Sequence, residues 1–251
     1  MLWKYSEEGP AMPRPLVDLL WRDRPSSPAG GSRGPRARYS TGDVVARAIA
    51  LADEGGLTAV TVRALAQSLE MTAMSVYTHV NSRDDLLVLM ADHAYARMTP
   101  TLFGRAAWRT RVRRVADDNL ALLRAHPWLL DVDDPRTALG PGTIAKYDHE
   151  LRAFDGTSID DIHRDAALTF VLDFVRSSAS RIVARPGTRE FGELWEESVA
   201  SLAGYVGDDF ALAQRVGRAA GEAMGGPHDA ERAWEYGLDR VITGLGDAIG
   251  G

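Results

Sequence analysis

The chain has 251 residues, no cysteine, a formal charge of −6 and 45% apolar residues. These values are typical of a globular protein with one large or two ordinary domains, and they exclude a disulfide scaffold and a thiolate site. Since the sequence has neither an apolar run near the roughly 18 residues of a membrane span nor a signal-peptide stretch, we expect a cytoplasmic protein.

The first 38 residues differ in composition from the rest of the chain. They hold six of the twelve prolines and carry seven Lys or Arg against four Asp or Glu, which predicts a flexible basic arm over residues 1–38. The apolar residues within 16–21 are sufficient for a short helix that docks elsewhere. Arg33, Arg36 and Arg38 lie just before the first long helix, where an arm can reach a DNA minor groove. A disordered tail or a cloning remnant explains the same composition equally well.

Helical periodicity extends nearly throughout the chain from residue 40 onward, which predicts an all-α fold. Capping-box patterns mark three helix starts. The capping pairs are Ser40 with Asp43, Ser82 with Asp85, and Ser158 with Asp161. The predicted helices span about residues 41–54, 62–69, 72–80, 83–99, 105–125, 141–154, 159–184, 190–205, 209–223 and 229–249, with a short piece after Pro127.

Residues 61–80 have the pattern of a helix-turn-helix, in which two short helices cross at a fixed angle. Leu65, Ala66 and Leu69 supply apolar contacts from the first helix. The helix N-termini at Thr61 and Thr72 offer backbone N–H groups to phosphate oxygens. The second helix keeps a polar face that can reach base edges in a major groove. That face consists of Thr72, Ser75, Tyr77, Thr78 and His79.

Residues 41–97 resemble the DNA-binding domain of the tetracycline-repressor (TetR) family of bacterial transcription factors. The family pattern is a first helix that ends in glycine, a Leu-Ala pair, an aliphatic-Tyr-x-His-aliphatic stretch, a basic residue and a Leu-Leu pair. In this sequence these are Gly55, Leu65-Ala66, Val76-Tyr77-Thr78-His79-Val80, Arg83 and Leu86-Leu87. The resemblance implies an N-terminal three-helix helix-turn-helix domain over residues 39–99. It also implies phosphate contacts from Thr61, Arg63 and Arg83, and groove contacts from Ala73, Met74, Ser75, Tyr77, Thr78 and His79.

Glu70 departs from the family pattern, which usually places glycine at the turn. A glutamate there means either that the turn avoids a left-handed residue or that it stores strain. Its carboxylate also faces the general direction of DNA, which opposes binding to phosphate.

Residues 100–251 resemble, more weakly, the helical ligand-binding and dimerisation domain of such regulators. Three stretches of this region match: His126-Pro127-Trp128-Leu129-Leu130, Leu139-Gly140-Pro141 and Tyr236-Gly237-Leu238-Asp239-Arg240. Two stretches of the N-terminal arm also match such regulators: Leu19-Leu20-Trp21 and Arg33-Gly34-Pro35-Arg36. The resemblance implies a homodimer whose four-helix contact is formed by the helices near 190–205 and 229–249. The expected contact residues are Trp195, Val199, Leu202, Trp234, Leu238, Val241, Ile242 and Leu245.

A set of aromatic and polar side chains in the same region is typical of an apolar small-molecule pocket. Each of the aromatic residues is also an ordinary filling for a helical core, and that reading stays open. The expected ligand-binding residues are Trp108, Asn119, His126, Trp128, Tyr147, Phe154, Phe170, Asp173 and Phe174.

Tetracycline itself is not the expected inducer. In the family's founding members a His, an Asn and a Phe hold the drug, and rough alignment puts Thr99, Val115 and Asn119 at those positions. Because none of these keeps the required group, we expect a different inducer, no metal and no cofactor.

The sequence therefore predicts a homodimeric repressor that binds double-stranded operator DNA and is released by a small-molecule inducer. A transcriptional activator of the same fold, or a degenerate regulator that acts through protein partners, are the alternatives. We do not expect an enzyme, because carboxylate pairs such as Asp117-Asp118 are adjacent and point about 100° apart on a helix, so they share no acid-base site.

Overall fold

The computed structural model describes residues 14–24, 38–183, 194, 197–199, 201–202, 204–207, 209–224 and 229–249. Within these ranges every regular element is an α-helix or a 3-10 helix, which confirms the predicted all-α fold. None of the described helices combines the length and the apolar character needed to cross a membrane.

The helix bounds follow the predicted spans to within a few residues. The α-helices are α1 (Leu16–Leu20), α2 (Thr41–Ala59), α3 (Val62–Ser68), α4 (Ala73–Tyr77), α5 (Arg83–Arg97), α6 (Trp108–Ala125), α7 (Pro141–Leu151), α8 (Asp161–Ile182), α9 (Ala211–Met224) and α10 (Ala230–Ile249). Three 3-10 segments span Pro127–Asp131, Pro135–Leu139 and Arg152–Phe154. Residues 194, 197–199, 201–202 and 204–206 are also helical.

One compact unit comprises the described residues within Met1–Leu102 and Ala125–Arg152. Helix α5 packs there against α1, α2 and α7, and its buried face includes Leu86, Leu89 and Met90. The close approach of α7 to α5 requires glycine at position 142, since a Cβ there would overlap the backbone carbonyl of Asp92.

The second unit comprises the described residues within Phe103–Arg124 and Ala153–Gly251. Helix α10 packs against α8, with the ring of Phe174 stacked on Trp234 at a centroid separation of 5.5 Å. A Cβ at Gly237 would lie 2.7 Å from the Phe174 ring, so this glycine lets the ring lie against α10. Arg113 of α6 also pairs with Glu235 of α10.

The first predicted capping box forms completely, the second forms only on its serine side, and the third does not form. Ser40 and Asp43 make a complete capping box at α2, and Ser82 accepts a hydrogen bond from the Asp85 N–H at α5. At α8 the cap is Asp160, whose carboxylate accepts from the His163 N–H at 2.8 Å, whereas the Ser158 hydroxyl donates to the Ile249 carbonyl.

Two glycines interrupt α2 where the sequence predicted its end. Gly55 has a non-helical φ of −138°, and Gly56 has a left-handed φ of 68° that favours glycine. A last turn follows the break and extends the element to Ala59.

The apolar stripe of α10 is buried within the chain itself. Trp234, Leu238, Val241, Ile242 and Leu245 are at most 9% exposed within the single chain. They therefore lie in the core of the chain, and their predicted part in a dimer contact stays a prediction. Periodicity identifies a buried face but not the chain that covers it.

Val199 and Leu202, in contrast, are exposed, and their proposed dimer role stays a prediction. The predicted dimer residue Trp195 lies outside the described residues.

The predicted basic arm is partly ordered. Residues 14–24 contain α1, which contacts α5 through a fully buried Leu19 and a nearly buried Leu20. This segment is therefore docked rather than free, and we call residues 14–24 the strap.

Candidate nucleic-acid interface

Helices α3 and α4 form the predicted helix-turn-helix, and threonine caps fix both of their starts. Thr61 accepts a hydrogen bond from the Ala64 N–H, and Thr72 accepts one from the Ser75 N–H, each at 3.1 Å. Threonine is favoured here because its hydroxyl satisfies an N–H that has no partner within the helix. Both threonine hydroxyls are thus engaged as helix caps. The N–H groups of the first turns remain the groups that can meet phosphate at these positions.

The turn between the two helices is a left-handed helix cap at Glu70. The Met71 N–H donates to the Ala66 carbonyl at 2.9 Å, and the Glu70 N–H donates to the Gln67 carbonyl at 3.3 Å. This is the Schellman pattern, in which the residue after the cap is usually glycine. Glu70 has a φ of 51°, so a bulky side chain occupies a conformation that costs about 1–2 kcal/mol. Of the two alternatives, the structure therefore shows the strained turn.

Helix α4 presents a face to solvent that no other described element covers. Met74 is 76% exposed and Tyr77 is 50% exposed, while Val76 on the opposite side is fully buried. The neighbouring Ala73 and Thr78 are also exposed. Because the buried valine anchors the helix, the exposed face has a fixed orientation and can enter a groove without reorganisation of the helix.

His79 lies at the end of this face and is half-buried. Burial lowers the pKa of His79, the nearby Arg14 guanidinium lowers it further, and the Asp43 carboxylate partly opposes both effects. Its Nδ1 atom lies 3.4 Å from the Thr41 hydroxyl. At neutral pH His79 is therefore an uncharged imidazole, which can offer DNA a hydrogen bond but not a positive charge.

The arginines around α4 differ in how they are engaged. Arg38 forms an ion pair with Glu70 at 3.1 Å, and the Arg83 Nη2 donates to the Leu57 carbonyl at 3.0 Å. Arg63 is exposed on the first turn of α3. The predicted arm residues Arg33 and Arg36 lie outside the described residues.

Arg14, which was not among the predicted DNA-contact residues, lies beside the helix-turn-helix. Its Nη2 donates to the carbonyl of Thr78, which caps the C-terminus of α4, at 3.0 Å. The only signal in the sequence was the apolar cluster at residues 16–21, which indicated a docked helix without giving its place.

The expected ligand-binding residues are divided between the two compact units. His126, Trp128 and Tyr147 belong to the compact unit that holds α3 and α4, whereas the other six belong to the second unit. Within the second unit Phe154 is 1% exposed, but Phe170 is 54% exposed on α8. Phe154 is thus a core residue, and Phe170 faces solvent.

The polar residues among the expected ligand-binding residues also differ in their burial. The Asn119 side-chain amide is buried and donates to the Val115 carbonyl at 2.8 Å. Asp173 is exposed on α8, and Trp108 is half-buried with the Arg109 guanidinium 4.5 Å from its ring centroid.

Trp128 and His126 serve as a link between two segments of the first unit. The Asp53 carboxylate of α2 accepts a hydrogen bond from the Trp128 Nε1 at 2.7 Å, and its Oδ1 lies 2.8 Å from the His126 Nδ1. Trp128 is only 2% exposed. These two residues therefore tie the 3-10 segment after α6 to the first helix of the helix-turn-helix domain, and Trp128 is not part of an open pocket.

Comparison with known proteins extends the likeness to most of the chain. Residues 99–249 match the family described as the tetracyclin repressor-like C-terminal domain. The HTH-type transcriptional repressor DrrR1 of Streptomyces coeruleorubidus is 31% identical over 192 residues, which cover 74% of this chain and 70% of that protein. An HTH-type transcriptional regulator of Saccharopolyspora erythraea is 26% identical over 137 residues, which cover 55% of this chain and 58% of that protein.

A solved structure shows the same fold. The Streptomyces coelicolor TetR family protein ActR, in complex with actinorhodin, superposes with a TM-score of 0.71 at 24% identity, covering 86% of this chain and 99% of that chain. The family match starts at residue 99, directly after α5, and the helix-turn-helix precedes it. The chain therefore belongs to the tetracycline-repressor (TetR) family of transcriptional regulators.

Proposed function

We propose that the protein is a homodimeric repressor that binds a palindromic operator through α4 and is released by a small-molecule inducer other than tetracycline. The observation that carries the proposal is the exposed face of α4, where Met74 and Tyr77 project from a helix that Val76 anchors. In a symmetric dimer two such helices, about one turn of DNA apart, would enter successive major grooves.

The dimer would use exposed apolar side chains of the second unit. Leu194, Val199, Leu202 and Tyr205 are exposed on the helical residues between 194 and 206, and Tyr236 is exposed on α10. In an isologous dimer, each subunit would contribute this same surface to the contact. The proposed contact therefore lies on the outer side of α10, opposite the stripe that packs against the core.

The proposed inducer is an apolar aromatic molecule bound by the second unit. The exposed Phe170, one turn from Phe174 on α8, supports an aromatic ligand. A small-molecule ligand as such is supported by ActR, which is described in complex with actinorhodin. Such a molecule would release DNA by favouring a dimer in which the two α4 helices are wrongly spaced, and its effect is limited by its preference for that state.

Adding tetracycline with Mg²⁺ tests the proposal that the inducer is not tetracycline. The Asn119 amide already donates to the Val115 carbonyl, so it is engaged within α6. We expect no protection against thermal unfolding when both are added. A rise in melting temperature that requires the drug and the metal together would contradict the proposal.

A gel shift with the DNA that flanks the protein's own gene tests the operator proposal at a stated salt concentration. Replacing Tyr77 with Ala should abolish the shift without loss of helical content, since half of this side chain is exposed on α4. Ile162→Ala is the control, because it removes a large exposed side chain from α8 that belongs to none of the proposed sites. Retained binding by the Tyr77 variant, or equal loss in both variants, would overturn the assignment of α4. The same shift separates a DNA-binding regulator from one that acts through protein partners, which would leave all of the flanking DNA unshifted.

A further inference from the structure

The strap is attached at its C-terminal half to the body of the first unit. Leu19 is fully buried and Leu20 is 4% exposed. The Trp21 Nε1 donates to the Leu139 carbonyl at 2.9 Å, and the Arg22 Nη1 donates to the Leu19 carbonyl at 2.7 Å, which caps the end of α1. Apolar burial and directional hydrogen bonds together hold this segment in one place.

The N-terminal half of the strap lies against the end of α4. The Arg14 guanidinium donates to the Thr78 carbonyl at 3.0 Å, and the Asn81 Nδ2 donates to the Arg14 carbonyl at 2.8 Å. Asn81 is itself held by the Asp85 carboxylate at 2.9 Å. A cation is favourable at a helix C-terminus, where carbonyl groups lack partners, so this contact stabilises the end of α4.

Arg14 is also a source of positive charge at the proposed DNA face. Its charge is felt by His79, because the guanidinium contributes to the lowered pKa of that imidazole. A guanidinium carries five N–H donors, and the bond to Thr78 uses one of them. Arg38, in contrast, is paired with Glu70.

We propose that Arg14 is a DNA-phosphate contact, and that the strap is a fixed part of the DNA-binding surface rather than a free arm. This inference rests on the proposed function. The partner is the phosphodiester backbone beside the groove that α4 enters. A guanidinium suits it because its planar fork matches two phosphate oxygens. The contact is independent of base sequence and sets the position of α4 along the duplex.

The strap gives the contact its precision. A free arm must lose conformational freedom on binding, whereas the buried Leu19 and the Trp21 hydrogen bond have already ordered the strap. Arg14 therefore approaches DNA in a fixed relation to Thr78 and His79. Undocking the strap should weaken DNA binding even though Arg14 is still present.

The test is operator binding by the full-length chain, measured by fluorescence anisotropy over a series of salt concentrations. Arg14→Gln removes the charge but keeps a side-chain donor for the Thr78 carbonyl. Arg24→Gln is the matched control, because it removes the same charge from the same strap, where Arg24 lies 5.4 Å from the centroid of the Trp21 ring. Leu19→Ala removes the buried anchor, and thermal unfolding checks that each variant is folded.

We expect Arg14→Gln to weaken binding by about 10-fold or more and to make the slope of log K against log[salt] shallower by about 0.9 per lost phosphate contact. Arg24→Gln should change affinity by less than about two-fold. Leu19→Ala should reproduce the loss seen with Arg14→Gln. Equal effects of the two Arg variants, or an unchanged slope with Arg14→Gln, would overturn the inference. Failure of the wild-type chain to bind the flanking DNA would instead overturn the proposed function.

Discussion

Glu70 has two features that substitution can separate: a strained backbone conformation and a negatively charged side chain. The left-handed φ of 51° costs a non-glycine residue about 1–2 kcal/mol. The side chain recovers part of this through the ion pair with Arg38, but the two side chains are 76% and 67% exposed, so the pair contributes about 0–1 kcal/mol. Glycine removes the strain but adds about 0.5–1 kcal/mol of backbone entropy to the unfolded chain.

Three variants divide these terms. Glu70→Gly and Glu70→Asn both fit the left-handed conformation, and both lose the ion pair as Glu70→Gln does. Both should therefore be more stable than Glu70→Gln, the glycine variant by about 0–1.5 kcal/mol. Glu70→Gln keeps the strain and loses the ion pair, so it should fall below the wild type by about 0–1 kcal/mol. A spread of about 1 kcal/mol corresponds to about 2–4 °C in melting temperature for a chain of this size.

DNA affinity should follow charge instead of strain. All three variants remove a carboxylate near the proposed phosphate contacts and release Arg38. Each should therefore bind the operator more tightly than the wild type, with a salt slope steeper by about 0.9 for each Arg38 that reaches a phosphate. Denaturant or thermal unfolding and anisotropy titrations measure the two effects separately. If Glu70→Gln stabilised the protein as much as Glu70→Gly, the strain argument would be wrong. If Glu70→Gln left affinity unchanged at low salt, the carboxylate would not oppose DNA.

Three further predictions test the packing within the two units. Asp53→Ala leaves the Nε1 of the buried Trp128 without an acceptor and should cost about 1–3 kcal/mol in urea unfolding. Asp53→Asn keeps an oxygen there and should cost less, so equal losses would contradict the link. Gly237→Ala forces the Phe174 ring to move and should cost about 1–3 kcal/mol relative to a matched Gly217→Ala change in α9, where a Cβ meets no neighbour within 4 Å. Burial raises the pKa of Asp92, so its folded form holds a proton more tightly than its unfolded form, and its contribution to stability falls as pH rises above about 4. The stability of Asp92→Asn relative to the wild type should therefore increase from about pH 4 upward and then level off, and a pH-independent difference would refute this reading.

The helix-turn-helix was predictable because its signals are local. The Thr61 and Thr72 caps and the Leu65–Leu69 apolar spacing lie within a few residues of the groups they contact. The capping box of Ser40 and Asp43 forms for the same reason. Even the strain at Glu70 was one of two alternatives that the sequence defined, and backbone geometry decided between them.

What the sequence did not predict depends on partners far along the chain. Ser158 and Asp160 are both good caps by composition, but the Ser158 hydroxyl is used by the Ile249 carbonyl, which leaves Asp160 to cap α8. The stripe containing Trp234 was correctly identified as a buried face, but α8 of the same chain packs against α10, with the Phe174 ring on Trp234. Trp128 was predicted to line a pocket because it is a large aromatic residue. Only its hydrogen bond to Asp53 identifies it as a link between two segments.

The chain has 29 Lys and Arg residues, but few of them lie at the proposed DNA face. Among the described residues beside α4, Arg38 is paired with Glu70, which leaves Arg14, Arg63 and Arg83 as the available cations; Arg14 and Arg83 each use one donor on a backbone carbonyl. His79 is neutral at physiological pH because burial lowers its pKa. Binding should therefore depend on a small number of phosphate contacts per subunit, which implies a modest salt dependence and leaves more of the discrimination to the side chains of α4. In such a surface one ordered cation, held by the strap at the end of α4, would have a larger effect than its share of the total charge suggests.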